Sequence, residues 1–121
     1  MTWRSGGLRP RLDPVAYVFV TAAQVPPGLE PFAVIREAEG LTLVAAATAA
    51  ATAGLSAGWL AARITLEVNS SLSDVGMTAW FSGRLADAGI SCNVIAAIHH
   101  DHLFVPHERG AEALRVLLAP P

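Results

Sequence analysis

From Arg63 onward the apolar residues change period several times, and that succession leaves few folds open. Arg63–Val68 (RITLEV) alternates polar and apolar, the period of a half-buried strand, with Ile64, Leu66 and Val68 on one face. A polar helix-start signal follows at residues 69–74, in which Ser71 and Asp74 fit the N-cap and third positions of a capping box. Met77, Phe81 and Leu85 recur every fourth residue, so the spacing predicts a helix running to about Ala88, where Gly89 stops it. Ser91–Ala97 reads as a strand, residues 99–101 as a turn and His102–Val105 as the returning strand. Pro106 then opens a last helix, with Glu108 in its first turn and Ala111, Leu114 and Leu118 as its inward face. Strand, helix, strand, strand, helix is a ferredoxin-like βαββα unit lacking only its final strand.

The first half supplies a partner. Val15–Val20 (VAYVFV), after Pro14, is β-branched and aromatic and reads as a strand able to fill the missing edge. Residues 24–31 carry three prolines and a glycine, a loop. Phe32–Glu37 and Leu41–Ala45 form a hairpin across Glu39-Gly40, and Ala46–Ala53 a short helix that Gly54 ends. The expected fold is therefore α+β: a βαββα lobe plus an abbreviated N-terminal lobe, antiparallel sheets with helices on one face. Residues 1–11 read as a loose tail, 12–61 as the first lobe and 62–119 as the second. The uncharged stretch from Leu41 to Ala62 is long enough to span a bilayer. Most of it is Ala, Thr, Gly and Ser, which gain little in lipid, so a buried strand and an Ala-rich helix are expected instead.

Composition closes several routes. All eight basic residues are Arg, which removes the lysine of a phosphate-binding Walker loop and of a pyridoxal Schiff base. No cofactor is expected. A net charge of −2 with no basic stripe argues against nucleic acid. Cys92 is alone, so neither a disulfide within the chain nor a cysteine zinc site is available, and a cytoplasmic setting fits. Hydrophobic residues make up 53% of the chain, enough for a packed core.

Five blocks carry a resemblance. Residues 37–44 (EAEGLTLV), Ile64-Thr65-Leu66, Ser70-Ser71-Leu72 with residues 75–79 (VGMTA), residues 89–94 (GISCNV) and residues 100–106 (HDHLFVP) resemble, in order and spacing, a bacterial family of short stand-alone ACT proteins. The arrangement is similar to the paired ACT domains of aspartokinases and of the cytosolic arginine sensors called CASTOR. Ala38 departs from the pattern, which usually has an acidic residue there. The resemblance implies a non-catalytic regulatory module, a small-molecule effector, an amino acid, held at a lobe or subunit interface, and a homodimer. It points to the helix start, Ser71, Asp74, Val75, Gly76 and Met77, and to the strand residues Asn93, Val94 and Ile95.

Physical chemistry leaves each candidate two readings. At residues 71–76, free N–H groups and the helix dipole suit a carboxylate, and Asp74 suits an ammonium; alternatively Ser71 and Asp74 only cap the helix. Asn93 either turns inward toward a ligand's polar groups or faces solvent. His99, His100, Asp101 and His102 have zinc chemistry, but neighbours in a hairpin point apart, and a polar turn is the expected reading. No nucleophile is placed beside these histidines by sequence. Glu37 and Glu39, two apart, share a strand face able to meet a cation or simply solvent.

Overall fold

The computed structural model describes residues 3, 7–55 and 58–120. The calls on Met1, Thr2, residues 4–6 and Pro121 lie outside them. The chain runs β1 (Pro10–Ala22), β2 (Ala33–Glu37), β3 (Gly40–Ala46), α1 (Ala47–Thr52), β4 (Trp59–Leu66), α2 (Met77–Asp87), β5 (Asn93–Ala96), β6 (Asp101–Pro106), a 3-10 turn (His107–Arg109) and α3 (Gly110–Leu118). The strands form one curled antiparallel sheet in the order β2-β3-β1-β4-β6-β5, with the helices on one side.

That order explains how both lobes close. Around β4 the order β1-β4-β6-β5 is that of a complete ferredoxin-like sheet, with β1 as the missing fourth strand. Around β1 the order β4-β1-β3-β2 repeats it, with β4 as the fourth strand. Each lobe thus borrows the other's first strand, and the two expected sheets are a single one. Only the first lobe lacks a helix between its first two strands; the proline-rich loop takes that place, as its composition requires.

β1 begins five residues before the expected Val15 and takes in residues 10 and 11 of the segment read as a tail. Leu8, just outside the strand, is almost fully buried in the core. The sequence signal misled because Pro14 looks like a boundary. Instead the strand passes through it at a bulge between Leu12 and Ala16, where the ladder is interrupted and a missing N–H costs nothing. β4 likewise starts earlier, at Trp59, and pairs Trp59 with Phe19.

The main core lies between the C-terminal half of the sheet and its two helices. Ile64, Leu66 and Val68 meet Met77, Phe81 and Leu85, as their periods predict. In α3 the fully buried residues are Gly110, Ala113 and Leu117; of the expected inward set Leu114 packs against this core partly buried, whereas Ala111 and Leu118 face outward, Leu118 at 59% exposure. The correction has a simple cause. Pro106 ends β6, opposite Ala61, and the tighter 3-10 turn shifts the helical phase before α3 begins. Arg109 ties the two helices together: its guanidinium donates to the carbonyls of Ala88 and Gly89 and pairs with Glu112 at 2.9 Å.

The other face of the sheet carries rings. Tyr17, Phe19 and Phe32 meet the fully buried Phe104 edge-on at centroid distances of 6.0, 5.1 and 5.8 Å. Beside them the bulge aims Asp13 at Arg63, and the two pair at 2.6 Å with side chains only 13% and 15% exposed. The Arg63 guanidinium lies over the rings of Phe32 and Tyr17, at 4.5 and 5.0 Å. Burial alone would raise the Asp13 carboxyl, but the Val15 N–H, the Arg63 charge and the Arg63 and Tyr17 hydrogen bonds outweigh it and hold the carboxyl below its ordinary range.

His102 lies on this face within hydrogen-bond reach of the Thr65 hydroxyl, Nδ1 to Oγ1 3.0 Å, with the Phe32 ring against it at 4.9 Å. Burial, then the charges of Arg63 and His100, hold its pKa below the ordinary 6.5. The unfolded chain therefore binds the proton more readily, and stability rises with pH across that window. His102 contributes its full share above about pH 6.5 and loses it as the pH falls through the depressed folded value. Melting curves of the wild type and His102→Gln should diverge below that pH, with the variant less sensitive to acid; parallel curves would refute the assignment.

Candidate functional site

A cleft of about 70 Å³ lies between the loop before α2 and the β5–β6 hairpin. Ser70, Ser71, Leu72, Asp74, Met77 and Thr78 line it from one segment, and Ala96, Ala97 and Asp101 from the other. Three of the residues expected from sequence, Ser71, Asp74 and Met77, meet here.

The capping box is half formed, and not at the helix. The Ser71 N–H donates to Asp74 Oδ2 at 2.8 Å and the Asp74 N–H to the Ser71 carbonyl at 3.0 Å, closing one isolated turn. The Ser71 hydroxyl is used within that turn, where it accepts from the Ser73 N–H at 3.2 Å. The chain then reverses through Gly76, whose φ of 97° is a left-handed conformation that favours glycine. α2 begins only at Met77, with no side chain capping its first turn. The expected start at Ser71 is thus corrected to Met77, because a turn closed by its own side chains does not propagate a helix. The uncapped first turn leaves N–H groups that a ligand anion is able to accept from.

The rest of the expected set lies elsewhere. Val75 is 90% exposed, and neither it nor Gly76 is among the cleft-lining residues. Asn93 faces solvent at the start of β5, while Val94 packs toward the main core and Ile95 toward the aromatic face. β5 is shorter than the expected Ser91–Ala97, because only Asn93–Ala96 pair with β6.

In the sequence Asp101 stands out only with the histidines of a candidate metal turn, not as part of the effector site. It reads as part of a histidine turn, yet it opens β6, opposite Ala96 and Leu66, and lines the cleft. Burial pushes its carboxyl above the ordinary range. The signal available was its place at the first residue of a strand that returns beside the helix start. Two carboxylates, three hydroxyls and an open helix terminus suit a compact zwitterion: the helix start for an anion, Asp74 and Asp101 for a cation.

Among the described residues, no three His, Cys, Asp or Glu side chains gather within reach of one metal ion. Glu37 accepts from the Thr42 hydroxyl, whereas Glu39 sits in the turn rather than on a strand, so the two do not share a strand face. Cys92 is half-buried, and burial pushes its thiol up to about 11, which leaves it unreactive at neutral pH. No helix of the described residues is long and apolar enough to cross a membrane.

Two family models, each of an ACT domain, match residues 6–62 and 59–119. No curated protein matches the chain. Among solved structures, a Vibrio cholerae protein of unknown function, described as a possible transport protein, is 46% identical over 95% of this chain and 90% of its own, with a TM-score of 0.88. The regulatory subunit of aspartate kinase from Thermus thermophilus has a TM-score of 0.67 at 15% identity, over 89% of this chain and 92% of its own. An Agrobacterium tumefaciens protein has a TM-score of 0.63 at 16% identity, over 84% and 78%. At those lower identities the likeness is one of fold.

Proposed function

The chain belongs to the ACT-domain family, and from that premise we propose that it is a non-catalytic regulatory module whose cleft beside α2 binds a small molecule, an amino acid. The carrying observation is the convergence of Asp74 and Asp101 with the uncapped start of α2. A ligand carboxylate would accept from the first-turn N–H groups, and its ammonium would sit between the two carboxylates. Lobes 12–61 and 62–119 act as one unit, as a homodimer in the cytoplasm. The fold shared with regulatory subunits of aspartate kinase supports the regulatory role.

Thermal melts against each of the twenty amino acids test the ligand. A ligand that binds only the folded chain stabilises it by about 2.7 kcal/mol when present at roughly a hundred times its Kd. At least one amino acid should raise the midpoint at millimolar concentration, and Asp101→Asn should reduce that rise. No rise with any of them removes the amino acid from the reading. A second reading, a module whose ligand site is degenerate and whose role is assembly, draws support from the Asp74 carboxylate already being engaged by the Ser71 N–H.

A further inference from the structure

We propose that the effector is an α-amino acid with an uncharged, apolar side chain: its ammonium and carboxylate sit in the cleft beside α2, and its side chain lies against Leu72 and Ile98 at the mouth. The inference rests on the amino-acid reading above and narrows it to one class of ligand. Size is the first reason. A cleft of about 70 Å³ is far smaller than the roughly 300–1,000 Å³ of a pocket that engulfs a drug-sized molecule. It has room for the compact charged end of an amino acid, so a longer side chain must leave through the opening.

The surroundings of that opening are apolar. Among the described residues, Val75, Ile98 and Leu72 are the most exposed large apolar side chains, at 90, 69 and 62%. All three belong to the two segments that wall the cleft. Leu72 lines it, Val75 follows Asp74, and Ile98 follows Ala97 on the facing wall. Single exposed apolar residues are ordinary, but several beside one concavity mark a surface that a ligand covers. Charge excludes the other side chains. None of the described residues lining the cleft is basic, so a second carboxylate on the ligand would find no partner there and would be repelled by Asp74 and Asp101. A basic side chain fares little better: the ammonium already occupies the two acids, no further acid lines the cleft, and a second cation beside Leu72 would give up hydration without a partner. An apolar side chain loses nothing there and gains by leaving water.

Calorimetric titration of the full chain with glycine, alanine, norvaline and norleucine, and with glutamate and lysine, tests this. From alanine to norleucine the Kd should fall about twofold to fourfold per added methylene. Glutamate and lysine should bind at least about tenfold more weakly than norleucine. Leu72→Ser and Ile98→Ser, both at exposed positions that the fold does not depend on, should flatten the series while leaving the Kd for glycine within about twofold. Asp101→Asn should instead weaken every member alike, because it touches only the shared charged end. If no member binds, the amino-acid reading fails and this inference with it. A flat series in the wild type, a slope that survives in both variants, or glutamate or lysine binding tighter than norleucine each overturns the inference and leaves the amino-acid reading standing. Loss of glycine binding in both Leu72→Ser and Ile98→Ser also overturns it, since those residues would then serve the charged end.

Discussion

Replacing Phe104 with Ala is expected to lower the free energy of unfolding by about 3–5 kcal/mol, the range for truncating a buried aromatic. Phe104 is fully buried at the centre of the helix-free face, with the rings of Tyr17, Phe19 and Phe32 against it. Those rings belong to β1 and to the entry of β2, whereas Phe104 belongs to β6, so the truncation opens a void where the two lobes join. Edge-to-face ring contacts contribute about 0.5–1.5 kcal/mol each beyond area burial, which places the cost toward the upper end. The midpoint of thermal unfolding should fall by roughly 10–20 °C for a chain of this length. Denaturant titration should show the same loss without a large change in slope. A cost below about 1 kcal/mol would mean that the rings do not pack as described.

Asp13→Ala is expected to cost about 2–4 kcal/mol, somewhat less than the loss of a fully buried ion-pair partner because both side chains keep some contact with solvent. The substitution leaves the Arg63 guanidinium, 15% exposed, without its carboxylate, and removes the acceptor of the Val15 N–H and of the Tyr17 hydroxyl. The more telling variant is the double replacement Asp13→Leu with Arg63→Met, which exchanges the pair for apolar volume and should recover most of the loss. Measured with the single variants Asp13→Leu and Arg63→Met, the double closes a cycle that isolates the pair energy from the packing of the bulge. The same carboxyl makes an acid limb. Its folded pKa lies below the ordinary 3.8, so its contribution is whole above that pH and disappears as the pH falls through the folded value. Asp13→Leu/Arg63→Met should lose that limb. A double variant no more stable than Asp13→Ala would show that the site needs the charges themselves.

Much of the architecture was legible because it depends on local period. The alternation of Ile64, Leu66 and Val68 and the four-residue spacing of Met77, Phe81 and Leu85 put the same side chains into one core. The loop at residues 24–31, the hairpin turn before Gly40 and the stop at Gly89 follow from residue-level backbone preferences. The inward face of α3 was legible only at Leu114. A three-residue 3-10 turn moves the phase, and nothing in the periodicity of a nine-residue helix tells Ala113 from Leu114 as the buried position.

The candidate site was legible only in part for the same reason. Ser71, Asp74 and Met77 are near one another in sequence and meet in the cleft. Asp101 joins them from the far side because β6 returns beside β4, a long-range pairing that local spacing does not encode. Asn93, chosen for being polar in an apolar run, faces solvent because it stands opposite Phe104 on the helix-free side of an edge strand.

The sequence by itself determined the classes of element, their order, the main core residues and the absence of lysine chemistry, since each follows from residue type or from spacing within a few residues. Only the tertiary structure decided that one sheet serves both lobes, that Asp13 meets Arg63, and that Asp101 and Asp74 line one cleft. Those outcomes depend on which strand edge finds which. That choice is made by packing the whole sheet at once, because every backbone N–H and carbonyl in a buried strand must find its partner together with its neighbours.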